Sequence, residues 1–334
     1  MRSALRKLQK FLSEGEAANM AIICHQNADP DALCSAYALK HLIGILGYKG
    51  EISVLSDEVS ILASNIAGML NIEYSTSGNL NAFNLFIVVD TCNPEQLGKF
   101  HQAPLIKPTL TIDHHSPKPE KGVFKESIVD PKATSTSEII AELFKKSGKE
   151  ISKEVCTALL IGILYDSRSL YLATPRTLKT AAFLLEKGGD YTFAHRVLKG
   201  IMDRAEKIAR LKAAKRAEIT DVNGWIIVFT RVGSYEASAC RGLIELGADV
   251  AIVGTERKDE IRISARATKE FYERTRVHFG KVMNKLGKMI GGSGGGHTLA
   301  AGFNATSGNL EDAFQTLQTL LRKVITREKR ENDK

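Results

Sequence analysis

The stretch Thr111-Ile112-Asp113-His114-His115 places an acid and two imidazoles directly after β-branched and aliphatic residues. Leu110 and Ile112, with two neighbouring threonines, predict a short buried strand, and Ser116-Pro117 prevents its smooth continuation. The acid and both histidines therefore lie at the carboxyl end of a strand. Because ligands bind at this edge of an open α/β sheet, we expect the imidazoles to reach a metal ion there.

Two further apolar runs end in the same kind of residue. Met20–Cys24 leads into His25-Gln26-Asn27-Ala28-Asp29-Pro30-Asp31, after which apolar residues recur at helical spacing, and Leu85–Val89 ends in Asp90. Continuous apolar strands predict a parallel sheet that is covered on both faces. Asp29 and Asp31 also stand at the predicted start of a helix, so a capping role for one of them is an alternative to a ligand role.

The middle of the chain adds a helix start and a fourth isolated acid. Ser135-Thr136-Ser137-Glu138 precedes an apolar-periodic segment and predicts a capping box. Contact of Thr134 or Ser135 with a ligand is the weaker alternative. A further helix near 155–164 leads into Asp166.

The composition describes a globular protein with room for two domains. The chain has 334 residues, of which 43% are hydrophobic and 25% charged. No apolar run reaches the length of a membrane span and the N-terminus lacks the apolar core of a signal peptide, so we expect a cytoplasmic protein without membrane association. Its five cysteines are scattered, without Cys-x-x-Cys spacing, and predict buried reduced thiols.

The net charge of +8 comes from the second half of the chain. Residues 190–334 contain 26 lysines and arginines against 18 acids, whereas residues 1–189 contain 20 of each. A neutral, acid-bearing half followed by a basic half suits a metal site and an anion-binding surface. A solvated basic surface with a charged tail at 327–334 is the alternative.

The second half predicts another α/β unit. We interpret residues 1–189 as a catalytic domain, 190–217 as a helical linker and 218–330 as a substrate-binding domain. Period-two alternation places Arg262, Ser264 and Arg266 on one side of a strand.

A glycine run follows in the same half. Gly294-Gly295-Gly296-His297 is neither a Walker A loop nor a dinucleotide fingerprint. We predict a backbone cradle for phosphate to which His297 donates a hydrogen bond, with a flexible linker as the alternative.

Six side chains at the predicted strand and helix ends form a candidate metal site. Two imidazoles with four carboxylates suit Mn²⁺ or a similar divalent ion. Six ligands exceed what one cation takes from a protein while leaving room for water, so two ions sharing a carboxylate are the economical interpretation. Two ions ~3.5 to 4 Å apart activate water for in-line attack on a phosphate ester. The candidate ligands are His25, Asp29, Asp31, Asp90, His114 and Asp166.

Taken in order, these motifs resemble those of the DHH phosphoesterases. The matching stretches are His25-x-x-x-Asp29-x-Asp31, Val89-Asp90, Asp113-His114-His115 and Gly162-x-x-x-Asp166-Ser167, with Arg262 to Arg266 and Gly294 to His297 resembling the DHH-associated substrate domain. The resemblance implies an α/β protein with an N-terminal parallel-sheet domain and a smaller C-terminal α/β domain. It places the active site in the cleft between them.

The resemblance also implies a role for each residue. His25, Asp29 and Asp90 would hold one ion, and Asp31, Asp90, His114 and Asp166 the other. Asp113 would orient an imidazole through its ring N–H, and His115 would face the substrate as a catalytic residue. The substrate's remote phosphate or base would contact Arg262, Ser264, Arg266, Gly294, Gly295, Gly296 and His297.

Within the superfamily, the chain is similar to the nano-RNase and oligoribonuclease branch. That branch implies cleavage of very short RNA and linear dinucleotides, sometimes with 3′-phosphoadenosine 5′-phosphate phosphatase activity, and a homodimer. A cyclic di-AMP phosphodiesterase is the nearest alternative. A RecJ-like exonuclease needs an extended groove with aromatic platforms, for which the chain has little room. A non-enzymatic nucleic-acid-binding scaffold is disfavoured because all six ligands are present.

Overall fold

The computed structural model describes residues 2–15, 18–116, 123–199, 202–258 and 260–332, with side chains up to Ile325 in the last helix. The chain divides into two compact units, Met1–Ile201 and Met202–Lys334. The division falls within the stretch 190–217 that we interpreted as a linker. The predicted strand stop at Pro117 and the side chains of the charged tail lie outside the described residues.

The described part of unit 1 contains five parallel strands in the order β2-β1-β3-β4-β5. The strands are β1 (Met20–Cys24), β2 (Ile52–Leu55), β3 (Leu85–Val89), β4 (Thr109–Asp113) and β5 (Glu126–Val129). The helices are α1 (Arg2–Ser13), α2 (Pro30–Ile45), α3 (Ile61–Leu70), α4 (Ala103–Ile106), α5 (Thr136–Ser147), α6 (Lys153–Asp166), α7 (Pro175–Glu186) and α8 (Tyr191–Leu198), with 3-10 turns at Leu80–Ala82 and Pro94–Phe100. The predicted parallel sheet is therefore confirmed.

Both faces of this sheet are buried. Along β1, Met20, Ile22 and Cys24 pack into the core formed with α2, α5 and α6, whereas Ala21 and Ile23 pack on the opposite face. The strand order reverses at β1, because β2 lies on one side of it and β3 on the other. A doubly wound sheet of this order binds ligands at the carboxyl ends of β1 and β3.

Unit 2 has a mixed sheet, six-stranded in the described residues, in the order β10-β11-β9-β8-β7-β6. The strands are β6 (Glu218–Val222), β7 (Trp225–Arg231), β8 (Val250–Arg257), β9 (Glu260–Ala267), β10 (Ser293–Gly296) and β11 (Ala300–Ala305). The helices are α9 (Arg204–Lys215), α10 (Glu236–Glu245), α11 (Lys269–Thr275), α12 (Phe279–Ile290) and α13 (Leu310–Asn332). The core on one sheet face includes α12 and α13, and that on the other includes α9 and α10.

The glycine run forms the edge strand β10, which pairs antiparallel with β11. It packs closely on α12, because a Cβ on Gly294 would lie 2.1 Å from the Met283 carbonyl oxygen. On the helix side, a Cβ on Gly280 would lie 2.1 Å from the Gly296 oxygen. The flexible-linker alternative is therefore wrong, and the glycines allow backbone to pack on backbone.

None of the helices in the described ranges combines the length and hydrophobicity that a membrane-spanning segment requires. The five cysteines all lie in described ranges and are all unpaired. Four of them are buried, and Cys92 is half-buried. The prediction of buried thiols is therefore confirmed for four of the five cysteines and is wrong for Cys92.

We expect Gly294→Ala to lower the unfolding free energy of unit 2 by about 1 to 3 kcal/mol, because the added methyl group overlaps a backbone carbonyl that cannot move independently of α12. Gly295→Ala is the matched control, because a Cβ there meets no atom within 4 Å. Urea unfolding of the two variants measures the difference. Equal midpoints would show that β10 does not depend on this packing.

Candidate metal centre

The first group of candidate ligands joins the carboxyl ends of β1 and β3. His25 Nε2 lies 3.6 Å from Asp90 Oδ2 and 4.0 Å from Asp29 Oδ1. Asp90 has a φ of 63°, so the backbone turns sharply as it leaves β3. His25, Asp29 and Asp90 each place a ligand atom within 4.8 Å of the others.

The Asp29 carboxylate caps a helix and also belongs to the first group of candidate ligands. Its Oδ1 accepts hydrogen bonds from the backbone N–H groups of Asp31 and Ala32, at 2.9 and 3.0 Å, and so caps α2. The helix-capping prediction is therefore confirmed for Asp29. The cap fixes this carboxylate beside His25.

The second group shares Asp90 with the first. Asp31, Asp90, His114 and Asp166 also place ligand atoms within 4.8 Å of one another. His114 follows β4, and its Nε2 lies 3.4 Å from Asp90 Oδ1 and 3.2 Å from Asp166 Oδ2. The structure thus brings together all six predicted ligands, in the two sets that the family resemblance implied.

Asp31 is fully buried and is held by the first turn of α5. The backbone N–H groups of Thr136 and Ser137 donate to its Oδ2 and Oδ1, at 2.7 and 2.9 Å. The Thr136 hydroxyl donates to Asp90 Oδ1 at 2.8 Å. Because a helix N-terminus carries partial positive charge, α5 stabilises these anions. The contacts with the candidate ligands come from Thr136 and Ser137, whereas the weaker alternative in the sequence analysis was contact of Thr134 or Ser135 with a ligand.

The predicted capping box is only half formed. Ser135 Oγ accepts from the Glu138 N–H at 3.0 Å and caps α5 as expected. The Glu138 carboxylate instead accepts from the Thr134 N–H and hydroxyl. Thr177 and Arg176, from α7, also contact this carboxylate. It therefore does not accept the hydrogen bond from the Ser135 backbone N–H that would complete a capping box.

Gly162 makes room for this arrangement on α6. A Cβ at this position would lie 2.1 Å from Ser137 Oγ and 2.5 Å from Asp31 Oδ1. The glycine in the Gly162-x-x-x-Asp166 motif is therefore required for the approach of α6 to the N-terminus of α5. Asp166 is the last residue of α6.

Asp113 orients His115 and not the candidate ligand His114. Asp113 is fully buried, and its Oδ1 accepts from the His115 backbone N–H at 3.0 Å and from His115 Nδ1 at 2.8 Å. The His115 side chain is 58% exposed and lines the pocket. The Asp113 hydrogen bond raises the pKa of His115 to about 9, against the opposing effect of burial. Burial raises the pKa of Asp113, but the hydrogen bonds from His115 outweigh it and leave that pKa lowered.

The donor set fits divalent cations. Burial and neighbouring Asp90 raise the pKa of Asp29 to about 6 and hold that of Asp31 well above its usual value. His114 Nε2 is buried and has no hydrogen-bond partner among the described residues. No lysine or arginine in the described ranges lines the pocket to offset the carboxylates. Clustered acids and an unpartnered imidazole nitrogen are the groups that a bound cation would satisfy.

The ligands open into a pocket of about 930 Å³ within unit 1. Apart from the candidate ligands, its lining is mostly uncharged and includes Gln26, Thr91, Asn93 and Gln96, with Glu95 the one further acid of the run that follows Asp90. Sequence reasoning missed these lining residues, because neutral amides and hydroxyls in a loop carry no spacing pattern. The polar run from Thr91 to Gln96, directly after Asp90, is the sequence feature that could have indicated these lining residues.

The predicted substrate residues lie in unit 2. Arg262, Ser264 and Arg266 share one face of β9, as the alternation predicted, while their neighbours in the strand are buried. Arg262 Nη2 lies 2.8 Å from Glu260 Oε1. Ser264 pairs with Gly302, which pairs in turn with Gly295. In this row across β9, β11 and β10, the two positions beside Ser264 therefore carry no side chain.

Residues 19–163 match the DHH family, N-terminal domain, and residues 231–323 match the DHHA1 domain. Over 303 residues the chain is 36% identical to an uncharacterized protein of Methanocaldococcus jannaschii, covering 90% of each chain. The chain belongs to the DHH family of phosphoesterases. It is therefore an enzyme that hydrolyses phosphate esters.

Several further proteins are similar to this chain along most of its length. The probable bifunctional oligoribonuclease and PAP phosphatase NrnA of Streptococcus mutans is 31% identical over 324 residues, 89% of this chain and 93% of that one. The cyclic-di-AMP phosphodiesterase GdpP of Bacillus subtilis is 24% identical over 91% of this chain but only 47% of its own length. An exopolyphosphatase-related protein from Bacteroides fragilis has the same fold, with a TM-score of 0.60, 16% identity and 98% coverage of both chains.

We expect Gly162→Ala to weaken the binding of a divalent cation, probed with Mn²⁺, by about 10- to 100-fold, as is usual when a group that positions metal ligands is disturbed. The new methyl group would displace Asp31 and Ser137. Isothermal titration calorimetry on metal-free protein measures the affinity. Gly44→Ala, in α2, is the matched helical control, because its Cβ meets no atom within 4 Å. Undiminished affinity in Gly162→Ala would contradict this account of the motif.

We expect Asp113→Asn to lower the pKa of His115 in the metal-free protein, because an amide does not favour the imidazolium as a carboxylate does. The folded pKa of about 9 exceeds the ordinary histidine value of about 6.5. The interaction therefore stabilises the fold fully below about pH 6.5 and is lost as the pH rises through about 9. NMR titration of the His115 ring measures the shift. An unchanged pKa would show that the Asp113–His115 hydrogen bond does not control this ring.

Proposed function

We propose that this protein is a manganese-dependent phosphodiesterase that hydrolyses short oligoribonucleotides and linear dinucleotides to mononucleotides. The observation that carries the proposal is the pair of ligand groups that share Asp90 at the carboxyl ends of β1, β3 and β4. The likeness to a relative named as an oligoribonuclease over nearly its whole length supports this substrate class. By the same likeness, 3′-phosphoadenosine 5′-phosphate is a second candidate substrate.

His25, Asp29 and Asp90 would hold one divalent ion, and Asp31, Asp90, His114 and Asp166 a second. Mn²⁺ is the proposed ion because imidazole and carboxylate together suit it. When bound, two such ions supply a metal-activated water at neutral pH and offset charge on the phosphate. The protein's own part is to hold these ligands on the rigid ends of strands and helices.

His115 is the group that we expect to serve the leaving oxygen. Its Nδ1 is engaged by Asp113, which leaves Nε2 for the pocket. The Asp113 hydrogen bond, which raises the pKa of this ring to about 9, favours the imidazolium form. The ring can therefore donate a hydrogen bond or a proton to the departing oxygen.

The substrate's terminal nucleotide would bind to the arginine-bearing face of β9 in unit 2. Arg262 and Arg266 offer guanidinium groups suited to phosphate, and Ser264 a hydroxyl between them. The row of Gly302 and Gly295 beside Ser264 allows a nucleotide to approach the backbone closely. His297, which is exposed next to β10, completes this proposed set.

A cyclic di-AMP phosphodiesterase is the second candidate. The family relationship to GdpP supports it, but the chain spans about half of that relative. A RecJ-like exonuclease is a further alternative. Homodimer formation stays a prediction.

The deciding experiment measures hydrolysis of 5′-labelled RNA from two to about twenty nucleotides, with cyclic di-AMP and 3′-phosphoadenosine 5′-phosphate in parallel. Purified protein is assayed with Mn²⁺ and, as the metal-free control, with excess chelator. We expect the rate to rise as the RNA shortens to a dinucleotide, and chelation to abolish it.

Asp90→Ala is the blank for this assay, because it removes the ligand common to both groups. We expect a loss of at least about 10³-fold, since neither set of ligands stays complete. Faster cleavage of the long RNA strands would favour a RecJ-like nuclease. Faster cleavage of cyclic di-AMP would favour a cyclic di-AMP phosphodiesterase. Absence of Asp90-dependent cleavage of every substrate would overturn the proposal.

A further inference from the structure

A second polar cluster lies behind the metal ligands, around the buried acid Glu138. The Glu138 side chain is fully buried in the first turn of α5. Its Oε2 accepts from the Thr134 N–H, the Thr134 hydroxyl and the Thr177 hydroxyl, at 3.1, 2.7 and 3.0 Å. Burial of a carboxylate is costly, and the cap of α5 is already supplied by Ser135. We therefore expect the Glu138 carboxylate to have a role other than capping α5.

Arg176 pairs with this acid from the first turn of α7. Its Nε lies 3.0 Å from Glu138 Oε1, and its Nη1 donates to Asp130 Oδ2. Asp130 follows directly after β5. One guanidinium group thus joins the end of β5, the start of α5 and the start of α7. The planar geometry of arginine suits this, because it can engage two carboxylates at once.

The same turn of α5 holds two of the metal ligands. The N–H groups of Thr136 and Ser137 donate to Asp31, and the Thr136 hydroxyl donates to Asp90. Both residues precede Glu138 directly in the chain. A shift of the Glu138 end of the turn would therefore move the donors of both carboxylates. Asp90 is common to both ligand groups, so the effect would reach each of them.

We propose that Glu138 and Arg176 are positioning residues for the metal centre, which act on Asp31 and Asp90 through the first turn of α5. Neither residue belongs to the ligand groups or to the pocket lining. The proposal rests on the metal-binding part of the proposed function and is independent of the substrate. It extends the site to a layer that the metal-ligand motifs of the sequence do not include.

The test compares Mn²⁺ affinity in the full-length wild type and Glu138→Gln, by isothermal titration calorimetry on metal-free protein. Glutamine retains an oxygen for the threonine donors but turns an N–H₂ group toward the Arg176 Nε–H. We expect 10- to 100-fold weaker binding, the range found for residues that orient metal ligands. At saturating Mn²⁺, the KM for a dinucleotide should be unchanged, because no substrate contact is altered.

The visible spectrum of Co²⁺-loaded protein gives a second measurement, which reports the ligand field directly and does not depend on activity. Glu138→Gln should shift its bands. Arg176→Lys, which keeps the charge but not the planar group, should bind Mn²⁺ more tightly than Arg176→Met. The partly exposed Arg176 variants also test the proposal if Glu138→Gln fails to fold.

Thr180→Val is the matched control. Thr180 donates to Glu142 Oε1 at 3.1 Å, which links the same two helices one turn further along both. This variant should lower the melting temperature without changing Mn²⁺ affinity or the Co²⁺ spectrum. The proposal is overturned if Glu138→Gln and Arg176→Met resemble Thr180→Val in all three measurements. Failure of the wild type itself to bind Mn²⁺ would instead refute the proposed metal centre.

Discussion

The constraint on which unit 1 depends is the convergence of four aspartates on one small volume. Asp29, Asp31, Asp90 and Asp166 crowd together where burial penalises charge. The fold offsets part of this cost with groups that are fixed in place. The first turn of α5 supplies N–H donors to Asp31, and the start of α2 supplies them to Asp29. The remaining negative charge is of the sign that attracts cations.

The architecture brings these acids together through topology. A doubly wound sheet reverses direction at β1, so the carboxyl ends of β1 and β3 face one crevice without a helix between them. His25 and Asp90 leave the sheet at that point. The helices then contribute Asp31 and Asp166 from their ends, and Gly162 allows α6 to approach α5. Every candidate ligand therefore lies at the end of a strand or helix or within one residue of it, which suits a site that must hold ions in a fixed arrangement.

The two units carry different chemistry. Unit 1 concentrates acids and imidazoles around a pocket, whereas unit 2 offers arginines beside a floor of glycine backbone. In unit 2, glycine has two purposes. At Gly280 and Gly294 it allows a strand to pack against a helix, whereas at Gly295 the space beyond the backbone is open. The same residue type therefore supports the core at one position and leaves room for a ligand at the next.

The sequence by itself determined the parallel sheet, the second α/β unit and all six candidate ligands, because apolar runs that end in Asp or His are local patterns. It also predicted the shared face of Arg262, Ser264 and Arg266, because strand alternation needs no tertiary information. Other features depended on the tertiary structure. One is the hydrogen bond between Asp113 and His115, which depends on side-chain orientation. The others join distant segments of the chain: the hydrogen bonds from Thr136 and Ser137 to Asp31, and the ion pair between Glu138 and Arg176. Only the tertiary structure could decide them, because the position of a hydrogen-bond donor relative to a distant acceptor is fixed by packing and not by spacing along the chain.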